Sequence, residues 1–461
     1  MLRACTEPGG WPAVLEGQAA VLLALQQQLA DSQWWPAERL RAAQFEQLAT
    51  LVAFAREAVP FYAARLDAAG LPAGAALTPE AWSRLPVLSR HDVRQAGEAL
   101  HATSFPAAHG GFFEISTGGS TGIPVRVRKT DLARLMWQTG HVRGRLWHQE
   151  DPGGTLVRLL SLPPGTDPQI LAALYAPEGV VLENWGGVDE LLWRTGKFAG
   201  FSDTHPIADQ VRFVQTHQAN HILTMPANLR LLLSYCRQHG VRLPDLRSVW
   251  TQSEIVDDTL RAACREVLGC EIIDNYSAAE TGFLALQCPE SGQYHIQAET
   301  MLVEILDAAG HACQPGEIGR VVVTPLHNFA TPLLRYEIGD EAEVGAPCRC
   351  GRGLSVLRRV VGRSTDYLTL PSGEQRRPQL GYYQLAKIRT VTEFQYVQRS
   401  LQQIELMLVV ERPLTAAEEA EIRQMVVVNM GPEFGLTISC HASLPRTKAG
   451  KLRPFVSDLV A

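Results

Sequence analysis

Between residues 155 and 273 short runs of β-branched and apolar residues alternate with stretches of helical periodicity, and this alternation restricts the fold more than any other feature of the chain. The runs at 155–162, 179–182, 221–224, 248–251 and 271–273 are of strand length, and the stretches at 207–218, 229–239 and 257–268 are long enough to cross back over a sheet. A layered α/β domain built on a largely parallel sheet is the fold class this implies. From 295 to 344 the pattern becomes closely spaced strands with turns at Asp307-Ala308-Ala309-Gly310 and Pro315-Gly316, which predicts a small antiparallel or barrel-like subdomain. Upstream, residues 13–33 read as one helix and residues 39–69 as another, the second on the spacing of Leu40, Phe45, Leu48, Leu51, Val52 and Phe54.

The character changes after Gly362-Arg363. Strands near 393–399, 403–410 and 437–442 and a helix at 416–429 predict a compact α+β unit. The expected division is therefore a large N-terminal domain over 1–363, with a helical region in 1–100, and a small C-terminal domain over 364–461. A chain of 461 residues has ample material for two cores.

The net charge of −6 supplies no basic excess for a nucleic-acid partner and no polybasic tract for a membrane surface. The most apolar N-terminal run, residues 19–25, is too short to span a bilayer, so a soluble cytoplasmic protein is expected. Nine cysteines without a secretory signal read as reduced thiols or metal ligands rather than as a disulfide framework.

Ser116-Thr117-Gly118-Gly119-Ser120-Thr121-Gly122-Ile123-Pro124 follows the apolar Phe112-Phe113-Glu114-Ile115. Its glycines permit close backbone approach, and its hydroxyls can join successive N–H groups in donating to anionic oxygens, so it suits phosphate. It is neither a Walker loop nor a GxGxxG turn. A flexible Ser/Gly surface loop has the same composition. At the other end, Leu444-Pro445-Arg446-Thr447-Lys448-Ala449-Gly450-Lys451 presents several cations after a strand, which alone reads as a solvated basic tail.

Together with Ser277-Ala278-Ala279-Glu280-Thr281-Gly282, Arg335-Tyr336-Glu337-Ile338-Gly339-Asp340 and Gly362-Arg363, these segments resemble, in order and separation, the adenylate-forming superfamily of acyl-CoA synthetases, adenylation domains and luciferases. Residues 46–66, with Ala58-Val59-Pro60-Phe61-Tyr62, and the stretch Leu85-Pro86-Val87-Leu88-Ser89-Arg90-His91-Asp92-Val93-Arg94 are similar to the N-terminal region of its phenylacetate-CoA ligase-like branch. The resemblance runs from about residue 45 to residue 456.

It implies activation of a carboxylic acid by ATP with release of pyrophosphate, then transfer of the acyl group to CoA, or alternatively to a carrier protein or an amine. A reading of another class is a nucleotide-binding protein without catalysis. Ser116, Thr117, Gly118, Gly119, Ser120, Thr121 and Gly122 would cradle the outer phosphates. Glu280 would hold Mg²⁺, a hard cation that prefers oxygen ligands. Tyr276 would stack on adenine, with Asp274 and Asn275 near the base edge, and Asp340 would accept from the ribose hydroxyls. Arg363 would reach the ribose and phosphate, and Lys451 would meet the carboxylate and α-phosphate as charge develops. The junction near residues 364–366 would act as a hinge.

The resemblance also brings Cys288, His295, Cys348 and Cys350 together as a tetrahedral set suited to structural Zn²⁺; reduced loop cysteines are the alternative, since Cys348-Arg349-Cys350 is tighter than common zinc spacing. Cys236, Cys264 and Cys270 read as packing residues. Thr365 stands where the family's hinge acid is placed, and the residues from Leu368 to Pro378 depart from its glycine-rich continuation, so adenylation is better supported than thioester formation.

Overall fold

The computed structural model describes residues 2–3, 13–74, 76–117, 125–160, 168–203, 205–363, 368–373, 375–445 with short interruptions between 377 and 389, and 452–459. The sheet is built as the alternation predicts. β1 (Phe112–Thr117) and β2 (Val125–Thr130) form an antiparallel hairpin by themselves. The parallel strands are β3 (Leu156–Leu159), β5 (Phe198–Phe201), β6 (His221–Thr224), β7 (Ser248–Thr251) and the first half of β8 (Glu271–Ala278), with the short β4 (Val180–Leu182) antiparallel at the edge.

Local chemistry sets the crossover helices. Pro226 opens the Pro226–His239 helix at its first turn, where its missing N–H costs nothing, and Gly240 closes it in the left-handed region at φ +63°. Asp257 caps the Asp258–Leu268 helix by accepting from the Leu260 N–H, and Gly269 ends it at φ +72°. These helices and Ile207–Thr216 bury Leu229, Leu233, Leu260 and Cys264 against Val157, Ile222, Val249 and Ile272 of the sheet. Cys236, Cys264 and Cys270 are buried there, as packing residues should be.

The antiparallel half does not close into a barrel. β9 (Gly282–Gln287), β10 (Tyr294–Ile296), β11 (Met301–Leu306), β12 (Ile318–Pro325), β13 (Tyr336–Val344) and β14 (Val356–Arg363) continue from β8 in one 12-stranded sheet of order β11-β12-β13-β14-β10-β9-β8-β7-β6-β3-β5-β4. Because β14 pairs with β10 rather than returning to β11, the strands extend the parallel half instead of curling on themselves.

The N-terminal helices lie on this antiparallel half. Helix 39–69 of the sequence reading is two helices, Ala37–Ala58 and Tyr62–Ala68, broken at Val59-Pro60-Phe61 because proline has no N–H to give and disfavours helix in the residue before it. Leu48, Leu51, Tyr62, Leu66 and Leu85 share one core with Val321, Val323, Leu333 and Tyr336, and the Tyr62 hydroxyl both donates to the Pro332 carbonyl (2.8 Å) and accepts from the Leu334 N–H (3.1 Å).

The C-terminal residues make a separate four-stranded sheet from β17 (Val391–Ser400), β18 (Gln403–Val410), β19 (Gly435–Cys440) and β20 (Phe455–Ser457), after a small ribbon of β15 (Leu368–Thr369) and β16 (Gln375–Arg376). The Ala416–Met430 helix, begun by a Thr415/Glu418 capping box, closes its core through Ile422, Val426 and Met430. Among the described residues no helix is long and apolar enough to cross a membrane.

The Asp131–Trp147 helix locks the front of the sheet. A Cβ on Gly140 would lie 2.9 Å from the Phe283 ring, so only glycine permits this approach. One turn on, buried Arg143 makes a two-pronged ion pair with Glu299 (both contacts 3.0 Å) and donates to the Leu29 carbonyl and the Gln297 side chain. Burial raises the Glu299 carboxyl, but the Arg143 charge and hydrogen bonds from Arg143 and Ser32 outweigh it and hold the group below its ordinary range. Glu299→Ala leaves the guanidinium buried without its counter-charge and is expected to cost about 3 kcal/mol in urea unfolding at pH 7. A depressed folded value stabilises the fold above the unfolded value of about 4.3, so the gap between variant and wild type should close as the pH falls below about 4.

Candidate active site

β8 changes partner in mid-strand, and the candidate site lies at that change. Residues Glu271 to Asp274 run parallel to β7, whereas Asn275 to Ala278 run antiparallel to β9. The carboxyl ends of β6 and β7 open beside the change, which is where open α/β sheets leave a crevice. Asp274 is buried at the changeover; it accepts from the Tyr294 hydroxyl (2.5 Å) and the Thr251 hydroxyl (3.3 Å), with Arg261 at 3.8 Å. Burial pushes its carboxyl up, against Tyr294 and Arg261. Its side chain thus ties β7, β8 and β10 together at this point. Asn275 accepts from the Gln287 N–H (3.2 Å), and a Cβ on Gly144 would lie 3.4 Å from its amide, so it faces the Asp131–Trp147 helix.

Tyr276 and Asp340 meet. The Tyr276 hydroxyl donates to Asp340 Oδ2 at 2.8 Å, and Asp340 on β13 stands opposite Arg363 on β14 in the ladder. Arg335, at the start of the same segment, is structural. Held at φ +52°, it pairs with Glu304 (3.0 Å) and donates to the Ser83 and Leu85 carbonyls, tying the N-terminal region to the sheet.

Glu280 sits in the turn between β8 and β9 and is only 4 % exposed. Arg90 donates to its Oε1 at 3.2 Å and the Tyr336 hydroxyl at 3.4 Å. Burial pushes the Tyr336 hydroxyl up, and the Glu280 charge adds to the rise. Beside it, buried Lys129 donates to the Ala279 carbonyl at 2.9 Å; burial lowers its ammonium to about 8 while Glu280 acts in the opposite direction. Thr281 Oγ1 and Arg90 Nε are buried with no hydrogen-bond partner among the described residues. A carboxylate with an idle hydroxyl and an idle guanidinium N–H next to it fits a hydrated cation carrying phosphate.

The β1–β2 hairpin reaches this site through Lys129 on β2. Ser116 pairs with Arg126 and Thr117 with Val125 in the backbone register, which places both at the mouth of the loop. Its base is bolted down, with Arg128 N–H donating to Thr331 Oγ1 (3.0 Å) and Asn328 donating to the Arg128 carbonyl (3.0 Å). Gly118, Gly119, Ser120, Thr121, Gly122 and Lys451 lie outside the described residues, as do Ser364, Thr365 and Asp366.

Cys288, His295, Cys348 and Cys350 come together behind the site, their ligand atoms all within 4.8 Å of one another. Cys350 Sγ lies 3.2 Å from His295 Nε2, and the Cys288 and Cys348 sulfurs are 3.8 Å apart, which is a thiol contact and not a disulfide. His295 Nδ1 faces the Leu354 carbonyl at 3.4 Å, leaving Nε2 for the cluster. Burial lowers His295 to about 4, so the imidazole is neutral and able to bind metal at pH 7. Burial raises the Cys348 thiol, but hydrogen bonds from Ser291 and the Cys350 amide outweigh it and bring the thiol below its usual value. Gly351, at φ +83°, donates its N–H to the Cys348 carbonyl; the amides that reach sulfur are those of Cys350 and Arg352.

No family model matches the chain. Phenylacetate-coenzyme A ligase of Thermus thermophilus is 26% identical over 460 residues, covering 91% of this chain and 96% of that protein. Protein CapK of Staphylococcus aureus is 23% identical over 219 residues, 46% of each. Among solved structures, 2-hydroxyisobutyryl-CoA ligase in the postadenylation state with 2-HIB-AMP superposes with TM-score 0.69 at 21% identity over 93% of both chains, and the anthranilate CoA ligase AuaEII with anthranoyl-AMP with TM-score 0.52 at 17% identity over 74% of this chain and 65% of that one. The chain has the adenylate-forming fold and is similar over most of its length to a phenylacetate-coenzyme A ligase.

The resemblance drawn from the sequence, from about residue 45 to residue 456, agrees with a match that covers 91% of the chain. The structure brings Tyr276, Asp340 and the backbone of Arg363 together and sets Glu280 beside the hairpin. The sequence reading passed over Arg90, Lys129 and Tyr336. Arg90 and Tyr336 lie in stretches used for the family resemblance, but nothing local marks a surface-helix arginine or a strand tyrosine as a neighbour of Glu280. His141 faces Asp189 at 3.1 Å and His221 faces Glu150 at 3.0 Å, so each is satisfied by a carboxylate.

Proposed function

We propose that the protein is an AMP-forming acid–thiol ligase, which activates a carboxylic acid with ATP and Mg²⁺ and passes the acyl group to CoA. The observation that supports it most is the Tyr276–Asp340 pair together with the Glu280 turn joined through Lys129 to the Ser/Thr/Gly hairpin, in a chain of which 91% aligns with a phenylacetate-coenzyme A ligase. In the first half-reaction a carboxylate oxygen bonds to the α-phosphorus as the bond to pyrophosphate breaks. In the second the CoA sulfur bonds to the acyl carbon, its proton leaves, and AMP departs.

The residues divide this work by charge. Asp340 offers paired acceptors to a ribose, with the Tyr276 hydroxyl fixing the carboxylate's orientation, and the Tyr276 ring supplies a face for adenine. Arg363 reaches the ribose and phosphate from the end of β14. Ser116, Thr117 and the Gly118–Gly122 stretch donate to the outer phosphates. Glu280 holds Mg²⁺, which when bound neutralises phosphate charge. Lys451 arrives with the small domain, residues 364–461, and meets the carboxylate and α-phosphate as charge builds, so its effect is greatest in the transition state. The protein acts in the cytoplasm.

Two outcomes test this reading. Over a panel of carboxylic acids, one should elicit ATP- and Mg²⁺-dependent pyrophosphate release, and adding CoA should then yield acyl-CoA and AMP in equal amounts. AMP release indifferent to CoA would exclude the thiol as acceptor and point to an amine or carrier protein. Lys451→Ala should lower pyrophosphate release by at least about a hundredfold while nucleotide titration changes little, in keeping with loss of a transition-state contact.

Zn²⁺ is proposed for the Cys288, His295, Cys348 and Cys350 set. The neutral imidazole and clustered thiols are the chemistry it takes, and four protein ligands leave no open position, so the metal is structural. Protein purified without chelator should carry about one zinc per chain, and Cys350→Ser should lose it together with several degrees of melting temperature. A zinc-free wild type, or a variant as heat-stable as wild type, would favour reduced loop cysteines.

A further inference from the structure

Lys129 is a buried cation between the two parts of the site that must act together. It lies one residue from the end of β2, the strand by which the Ser/Thr/Gly hairpin returns, and its residue is 5 % exposed. Among the described residues the Ala279 carbonyl, 2.9 Å away, is its one hydrogen-bond partner. Ala279 immediately precedes Glu280, in a turn closed by the Thr281 N–H on the Ala278 carbonyl (3.2 Å). Glu280 in turn is held on its other side by Arg90 and Tyr336. A lysine ammonium taken out of water is costly, and one backbone carbonyl does not satisfy three N–H donors. A packed apolar residue would serve β2 better if the position only had to fill space.

We propose that Lys129 is a positioning residue for acid activation: it ties the return strand of the phosphate hairpin to the Ala279-Glu280 turn, so that the phosphate oxygens and the cation at Glu280 are held at one separation. The inference rests on the acid-activating reading given above. Glu280 by itself sits in a turn between two strands, and the hairpin is a separate two-stranded sheet. The lysine joins them by a side chain, and the geometry for in-line displacement depends on such joins being rigid.

The test uses the full-length protein with an acid that the wild type is first shown to adenylate; if none is found, the acid-activating reading fails and the proposal with it. Pyrophosphate release is followed as a function of Mg²⁺ and of acid for wild type, Lys129→Met and Lys129→Arg, with melting temperatures alongside. Lys129→Met is expected to lower kcat by about tenfold or more and to raise the Mg²⁺ needed for half-maximal rate several-fold, with the KM for the acid changed by less than about threefold. Lys129→Arg, which keeps charge and donors, is expected to recover most of the loss. Should Lys129→Met not fold, Lys129→Gln, shorter and uncharged, is read by the same criteria. The proposal is overturned by turnover within twofold of wild type, by a lower Mg²⁺ requirement at unchanged kcat, which would mean that the ammonium only competes with the metal, or by an arginine variant as impaired as the methionine one.

Discussion

The site depends on the buried Asp274 carboxyl and the changeover of β8 that it anchors. At this residue a strand that pairs in parallel with β7 begins to pair antiparallel with β9, and three elements must be fixed at one point. Asp274 does so by accepting from Thr251 on β7 and from Tyr294 on β10 with Arg261 of the crossover helix close by. A buried carboxyl is tolerated because it is enclosed by donors, and the arrangement rewards one register only. Shift β8 by one residue and Tyr276 would leave Asp340 for the opposite face of the sheet.

Several charged groups gather near Glu280. Lys129, Tyr336 and Glu280 are buried together with a partly exposed Arg90, although an apolar core of similar volume is usually at least as stable as buried ions. Thr281 and Arg90 retain buried polar atoms that the described residues do not satisfy. Such residual valence at the end of a parallel sheet is where an anionic substrate and its cation find ready partners. Buried Arg143 meets the Glu299 carboxylate through both terminal nitrogens, although its Nε, like that of Arg90, has no partner among the described residues.

The Cys₃His set gathers at β10 of the same sheet. Its members come from the β9–β10 turn, from β10 and from the loop before β14, three neighbours in the antiparallel half that otherwise share a short ladder.

Much of this was legible in the residues themselves, because periodicity and caps are local. The strands at 221–224 and 248–251, the helix of the small C-terminal unit and the antiparallel strands after residue 295 follow from spacing alone, whereas the changeover itself comes about twenty residues earlier, inside β8; Tyr276, Glu280 and Asp340 were singled out through the order of their segments. Other features are decided by contacts between distant parts of the chain. Whether the antiparallel strands closed or extended the sheet hung on β14 pairing with β10, to which no short motif testifies. Arg90 is 190 residues from Glu280 and Lys129 150 from Ala279. A lone arginine after a helix cap or a lysine in a strand looks solvated in sequence, and only the packing that strips water from both could show that their charges belong to the site.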